Sequence, residues 1–182
     1  MKRQRAVARS LPPPASPAPP LLDSLPPVVA HDTRLVVLGS FPGVASLQAQ
    51  QYYAHPRNQF WPLLSALWEI DLVGLPYERR VAEASARGLG LWDVYARCRR
   101  VGSLDSAIRD AAFNDLASLT QRAPGLRAVA YNGGESARAM RQTQALGVAV
   151  IRLPSTSPAH ASWSFERKLA VWREAFVAHG VA

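Results

Sequence analysis

With 182 residues, the chain is long enough for one domain with a sizeable core and too short for two ordinary ones. Its single cysteine, Cys98, excludes an intramolecular disulfide and any cysteine-ligated zinc or iron–sulfur cluster, since each needs several thiolates. The formal charge of +8, from 21 basic and 13 acidic residues, favours a polyanionic partner, although arginine-rich usage in a GC-rich genome gives the same balance.

The chain opens on Lys2, Arg3, Arg5 and Arg9, and eight of its fifteen prolines then fall between Pro12 and Pro27. Proline supplies no N–H, so residues 1–30 read as a disordered basic tail ahead of one domain over 31–182. From Arg34 the pattern changes. Leu35 to Leu38 reads as a buried strand, Asn58 to Ile70 as an aromatic-faced helix, and Tyr77 to Arg87 as a polar helix leading into a strand from Leu89 to Val94. A helix around Asn114 to Arg122 leads into a strand from Ala128 to Tyr131. Glu135 to Leu146 reads as helix, Val148 to Leu153 as strand, and Ser164 to His179 as a closing amphipathic helix with Phe165, Leu169, Trp172 and Phe176 on one face. Four strands alternating with helices predict a three-layer α/β/α sandwich around a four-stranded, mostly parallel sheet. No stretch approaches the roughly 18 apolar residues of a membrane span, and no secretory signal is seen. A cytoplasmic monomer, nucleoid-associated if bacterial, is expected.

In an open parallel sheet, ligands bind beyond the carboxyl ends of the strands, which directs attention to the loops there. The first strand is followed by Gly39-Ser40-Phe41-Pro42-Gly43 and then by Tyr52-Tyr53-Ala54-His55-Pro56-Arg57-Asn58-Gln59-Phe60-Trp61. The last is followed by Leu153-Pro154-Ser155-Thr156-Ser157-Pro158-Ala159-His160. Parallel strands bring both loops to one edge, where an aromatic, an amide, hydroxyls and imidazoles suit a flipped nucleotide. Taken with Gly90-Leu91-Trp92-Asp93-Val94, Gly102-Ser103-Leu104-Asp105-Ser106-Ala107-Ile108 and Tyr131-Asn132-Gly133, these blocks resemble the uracil-DNA glycosylase superfamily, most closely its hypoxanthine-DNA glycosylase branch. The resemblance covers nearly everything from Arg34 onward.

What the resemblance implies is a base-excision-repair enzyme acting on DNA, single- or double-stranded, without metal or organic cofactor. A deaminated base, hypoxanthine or else uracil, is extruded into a pocket and its N-glycosidic bond is hydrolysed. Tyr53 stands where an aromatic ring stacks on the base in relatives, and Gly39, Ser40, Phe41 and Asn132 are expected to complete the base pocket, Asn132 reading also as a turn residue. Phe41 replaces the Asp or Asn that positions water in better-known relatives. Water activation then falls to Asn58, an amide that orients a water without being able to deprotonate it alone, and Asn58 reads equally as the cap of the next helix. Asp93 reads as an acceptor for base N–H groups or support for the water, or else as a helix cap or an ion-pair partner of Arg97 or Arg100. His55 reads as a stabiliser of departing charge or as a structural imidazole. Ser155, Thr156 and Ser157 are expected to hold phosphate, with Ala159 and His160 at the gap left in the stack. Relatives carry a larger wedge or a catalytic His there, which Ser155 and Ala159 lack. Rival readings are a uracil- or mismatch-specific glycosylase and a catalytically silent binder of lesion-containing DNA.

Overall fold

The computed structural model describes residues 19–182. The basic opening and the first prolines of the expected tail lie outside them. Within the described residues of the expected tail, strand β1 (Leu21–Asp23) pairs antiparallel with Arg97–Arg99 and Val28 bridges Leu91. Prolines on either side lack donors but keep acceptors: Arg99 Nη1 donates to the Pro19 carbonyl at 2.7 Å, and Tyr52 Oη to that of Pro26 at 3.1 Å.

Strand β2 (Leu35–Gly39) is followed by α1 (Val44–Ala49), α2 (Phe60–Trp68) and α3 (Tyr77–Ala86), then by β3 (Leu89–Asp93). After β4 (Tyr95–Arg99) and β5 (Arg109–Phe113) come α4 (Leu119–Arg122), β6 (Ala128–Asn132), α5 (Gly134–Ala137) and α6 (Met140–Thr143). The chain closes with β7 (Ala149–Leu153) and α7 (Phe165–Ala178). The expected four-stranded sheet is present, all parallel, in the order β3-β2-β6-β7. Its alternate side chains feed two cores. Leu35 and Val37 face the aromatic layer of Phe60, Trp172 and Phe176 from α2 and α7, while Val36 and Leu38 face Leu116, Leu119 and Ala123. Each fully buried leucine contributes about 2 kcal/mol by leaving water, so this double burial dominates the stability of the fold.

The sequence did not announce a second sheet, the antiparallel β1-β4-β5. Two expected helices are also shorter than read. Asn114 is held as a strand end, its N–H on the Val94 carbonyl and its Nδ2 on the Asp93 carbonyl, so α4 starts only at Leu119. The segment from Glu135 to Leu146 breaks into α5, α6 and a 3-10 turn. The buried hydroxyl of Tyr131 occupies the Ala139 carbonyl at 3.2 Å, an acceptor that an unbroken helix would reserve for its own backbone.

This order places a site. The chain lays down β2, adds β3 on one side, then crosses over to add β6 on the other. The crevice opened by that reversal lies at the carboxyl end of β2, with Gly39 aligned to Asp93.

Candidate active site

A cavity of about 390 Å³ occupies the crevice. Every residue expected at the site lines it: Gly39, Ser40, Phe41, Tyr53, His55, Asn58, Asp93, Asn132, Ser155, Thr156, Ser157, Ala159 and His160. Gly39 is its floor for a steric reason. A Cβ there would lie 2.4 Å from Asp93 Oδ1 and 3.8 Å from Tyr53 Oη, so only glycine lets both polar atoms converge.

Asp93 ends β3 and is 4% exposed. The expected ion pair is not formed: Arg97 pairs with Asp23 at 3.0 Å, and Arg100 donates to the Pro42 carbonyl. Instead Ser24 Oγ donates to Asp93 Oδ2 at 3.1 Å, leaving Oδ1 over Gly39 without a hydrogen-bond donor among the described residues. Burial pushes the Asp93 carboxyl up to about 7, against the opposing pull of the Ser24 hydroxyl. A group held near neutrality can both donate and accept hydrogen bonds within the pH range of the cell.

Tyr53 stacks on Phe60, with ring centroids 3.8 Å apart and planes 18° from parallel. Its backbone lies in the left-handed region at φ 57°, a strain on the order of 1–3 kcal/mol for a non-glycine residue. The neighbouring amides hold it there, Tyr52 N–H on Tyr77 Oη at 3.0 Å and Ala54 N–H on Ser46 Oγ at 3.2 Å. Among the described residues the buried Tyr53 hydroxyl has no hydrogen-bond partner, and burial raises its pKa well above the usual phenol range.

The cap of α2 is Gln59, and Asn58 stands just before it: its Oδ1 accepts from the Phe60 N–H at 2.9 Å, while its own N–H donates to the His55 carbonyl at 2.8 Å. The first bond fixes which amide atom is oxygen and leaves that oxygen a second lone pair. This turn bond and water positioning are thus compatible. His55 Nδ1 accepts from the Arg57 N–H at 3.1 Å, a local structural bond that leaves Nε2 unassigned.

Asn132 proves to be a clamp on the last loop. It accepts from the Thr156 N–H at 3.0 Å and donates to Thr156 Oγ1 at 2.9 Å, and the Thr156 carbonyl in turn accepts from Gln59 N–H at 3.0 Å. Ser155 Oγ accepts from Ser157 N–H, and Ser157 Oγ from Ala159 N–H, so these hydroxyls first shape the turn. The loop is not the start of the last helix, as expected from the sequence. α7 begins at Phe165, and its cap is Ser164, which accepts from Arg167 N–H at 3.3 Å.

Two contributors escaped sequence reasoning. Lys168 lies buried in α7 and donates to Gln59 Oε1 at 2.8 Å and to the His160 carbonyl at 2.9 Å, pinning the end of the loop. The segment Ser103–Ser106, between β4 and β5, forms a cavity wall. Asp105 Oδ1 accepts from Ser40 Oγ at 2.6 Å, and Ser103 Oγ from Val44 N–H at 2.9 Å. Its Ser and Asp in a Gly-Ser-Leu-Asp-Ser run were the available signal.

An aromatic plate, a near-neutral carboxyl and a fixed amide around one crevice define a nucleobase-excising enzyme of the α/β class. Comparisons give the lineage. The family model described as Uracil DNA glycosylase superfamily matches residues 26–176. A hypoxanthine DNA glycosylase of Methanosarcina barkeri is 36% identical over 151 residues, covering 83% of this chain and 95% of the relative. One from Methanosarcina acetivorans is 33% identical over the same shares. The solution NMR structure of a candidate uracil DNA glycosylase from Methanosarcina acetivorans superposes with a TM-score of 0.76 at 32% identity, covering 85% of this chain and 98% of that one. The chain belongs to the uracil DNA glycosylase superfamily. It is a hydrolytic DNA N-glycosylase of base excision repair, and DNA is its substrate. Among the described residues no helix is long and apolar enough to cross a membrane, and no three His, Cys, Asp or Glu side chains converge to hold a metal ion.

Proposed function

We propose that the enzyme excises hypoxanthine from deoxyinosine in double- or single-stranded DNA, acting as a cytoplasmic, nucleoid-associated monomer. The observation that carries the substrate assignment is the buried Asp93 carboxyl over Gly39, near neutral and free on Oδ1. In its protonated form it accepts from the N1–H of hypoxanthine and donates to O6. The ionised carboxylate has no donor for O6, so only the neutral carboxyl matches hypoxanthine at both polar positions. The relatives named as hypoxanthine DNA glycosylases support the same reading.

Tyr53, backed by Phe60, is the plate on which the flipped base lies. Asn58 orients the water that attacks C1′ as the sugar gains oxocarbenium character and the bond to N9 breaks. With an amide rather than a carboxylate there, water is positioned more than activated, so the departure of the base carries most of the barrier. A hydrogen bond from neutral Asp93 to the departing base and the imidazole of His55 at the cavity edge both ease that departure. Ser155 and Ser157 meet the flanking phosphates through their hydroxyls, whereas Thr156, expected there too, is fully buried with its N–H on Asn132 and holds the loop instead. Ala159 and His160 border the vacated stack.

The test is excision from end-labelled duplexes and single strands carrying one deoxyinosine, deoxyuridine or normal base, with abasic sites revealed by alkali. Release at deoxyinosine that Asn58→Ala abolishes while DNA binding persists supports the assignment. Cleavage at deoxyuridine alone makes the enzyme uracil-specific. Binding without any release makes it a silent lesion binder.

A further inference from the structure

A base taken out of a duplex leaves a gap that closes again unless a side chain occupies it, and apolar wedges are the usual occupants. On this cavity rim the last loop offers only the short apolar side chains of Pro158 and Ala159. Of the large side chains of the lining, Phe41 and Tyr52 are buried at 5% and 4% exposure and Tyr53 is stacked on Phe60. Leu104 is different. It lines the cavity, yet 59% of it is open to solvent.

We infer that Leu104, on the wall loop between β4 and β5, is the wedge that fills the base stack when the damaged nucleotide is extruded. The inference rests on the reading that duplex DNA is a substrate. Its second support is mechanical. A wedge works only if it is held against the recoil of the stack, and the two residues flanking Leu104 are both tied to the first loop. Ser103 Oγ accepts from the Val44 N–H at 2.9 Å, and Asp105 Oδ1 accepts from Ser40 Oγ at 2.6 Å. The Leu104 carbonyl also accepts from Ala107 N–H at 3.1 Å, closing the turn behind it. Gly102, at φ 73° with open space around it, supplies the reversal that lets the tip project. The loop thus presents one exposed leucine between two fixed points on the lip of the base pocket. Arg109 follows on the exposed strand β5, placing positive charge beside the tip for the phosphate backbone.

A wedge matters only where there is a stack to fill, which separates this role from a structural one. Single-turnover excision of hypoxanthine is compared on a duplex with deoxyinosine opposite deoxycytidine and on the same strand alone, for wild type, Leu104→Ala, Leu104→Phe and Val101→Ala. Leu104→Ala is expected to slow the duplex reaction about tenfold or more, the fold-change that loss of one buried leucine implies, and the single-strand reaction by less than about twofold. Leu104→Phe should recover most of the duplex rate. Val101, 69% exposed at the base of the same loop but outside the cavity lining, should tolerate alanine on both substrates. Equal loss on duplex and single strand, or no loss on the duplex, overturns the assignment. A second readout is independent of turnover: 2-aminopurine beside the lesion brightens when its neighbour leaves the stack. In an Asn58→Ala background that brightening should fall sharply on adding Leu104→Ala, and an unchanged signal overturns the wedge even if no base is ever released. Absence of excision by wild type on every substrate would instead count against the proposed activity.

Discussion

The two sheets solve opposite problems. In the parallel sheet every residue of the adjoining strands β2 and β3 is buried, so this part of it is covered on both faces. In the antiparallel sheet every residue of β5 is exposed, and β4 alternates with Arg97 and Arg99 facing outward in ion pairs. The cavity lies where they meet, with Gly39, Asp93 and Asn132 from the first as floor and Ser103–Ser106 from the second as wall. Rigidity where bonds are read and broken, and exposure where a long polyanion is met, is a division of labour that gives each part a different signature on mutation. Floor variants should lose chemistry on every substrate. Wall variants should lose it on duplex DNA first.

The largest effect is expected at Asn58. Its alanine variant should lower the single-turnover rate about 100-fold to 10,000-fold on duplex and single strand alike, in the range of a positioned catalytic group. It should also cost about 1 kcal/mol of stability as the Phe60 N–H loses its acceptor, measured as a lower urea midpoint. A loss confined to duplex DNA would move Asn58 out of the chemistry and into DNA handling.

Asp93→Asn comes next and is read through pH. Excision by wild type should fall as pH rises through about 7, because the neutral carboxyl that donates to the base is lost, and the isosteric amide should erase that limb. Stability follows the same group with a definite sign. The folded-state pKa lies above the unfolded value of about 3.9, so the stability Asp93 contributes is complete below that value and is lost as pH rises through about 7. Asp93→Asn should therefore melt higher than wild type above pH 7, by an amount on the order of a few kcal/mol, and gain little in acid. A retained pH limb in the variant would assign the titration to another group.

Gly39→Ala should destabilise by about 1–3 kcal/mol, since the added methyl meets Asp93 Oδ1 at 2.4 Å inside a strand that cannot shift. Base excision should fall on all substrates, with the largest defect in KM if the methyl narrows the base slot. Asn132→Ala is milder. Releasing Thr156 from two hydrogen bonds should cost about 1–3 kcal/mol and weaken DNA binding more than it slows the bound complex.

The same contrast explains what the sequence made legible. Val and Leu runs such as Leu35 to Leu38 must be buried on both faces, so β2, β3, β6 and β7 and the carboxyl-edge position of the site could be read directly. β5 could not. Arg109-Asp110-Ala111-Ala112-Phe113 is exposed throughout, carries no alternation, and has its register set by pairing with a distant strand. β1 was hidden for another reason: it is three residues between prolines, too short for a pattern, and its ladder is made with the distant β4. At the site the residue types were readable and their partners were not. Asp93 has Arg97 and Arg100 nearby in sequence, but it takes Ser24, 69 residues away, because the fold of β4 turns both arginines elsewhere.

Ser24→Ala carries the smallest expected effect and tests whether floor and wall are energetically separate. The residue follows β1, so it belongs to the antiparallel sheet, yet its hydroxyl gives the only hydrogen bond to the Asp93 carboxyl group among the described residues. Donation to the charged carboxylate favours ionisation, and removing it should push the Asp93 carboxyl further up. The pH limb of excision should then move to higher pH at an unchanged acid plateau, with about 1 kcal/mol of stability lost. Because Asp93 would remain neutral over a wider range, the variant should excise faster than wild type on the alkaline side. That gain at the expense of stability is the outcome a merely structural Ser24 cannot produce. A uniform loss at every pH would mean that the antiparallel sheet only holds the floor together and does not tune its carboxyl.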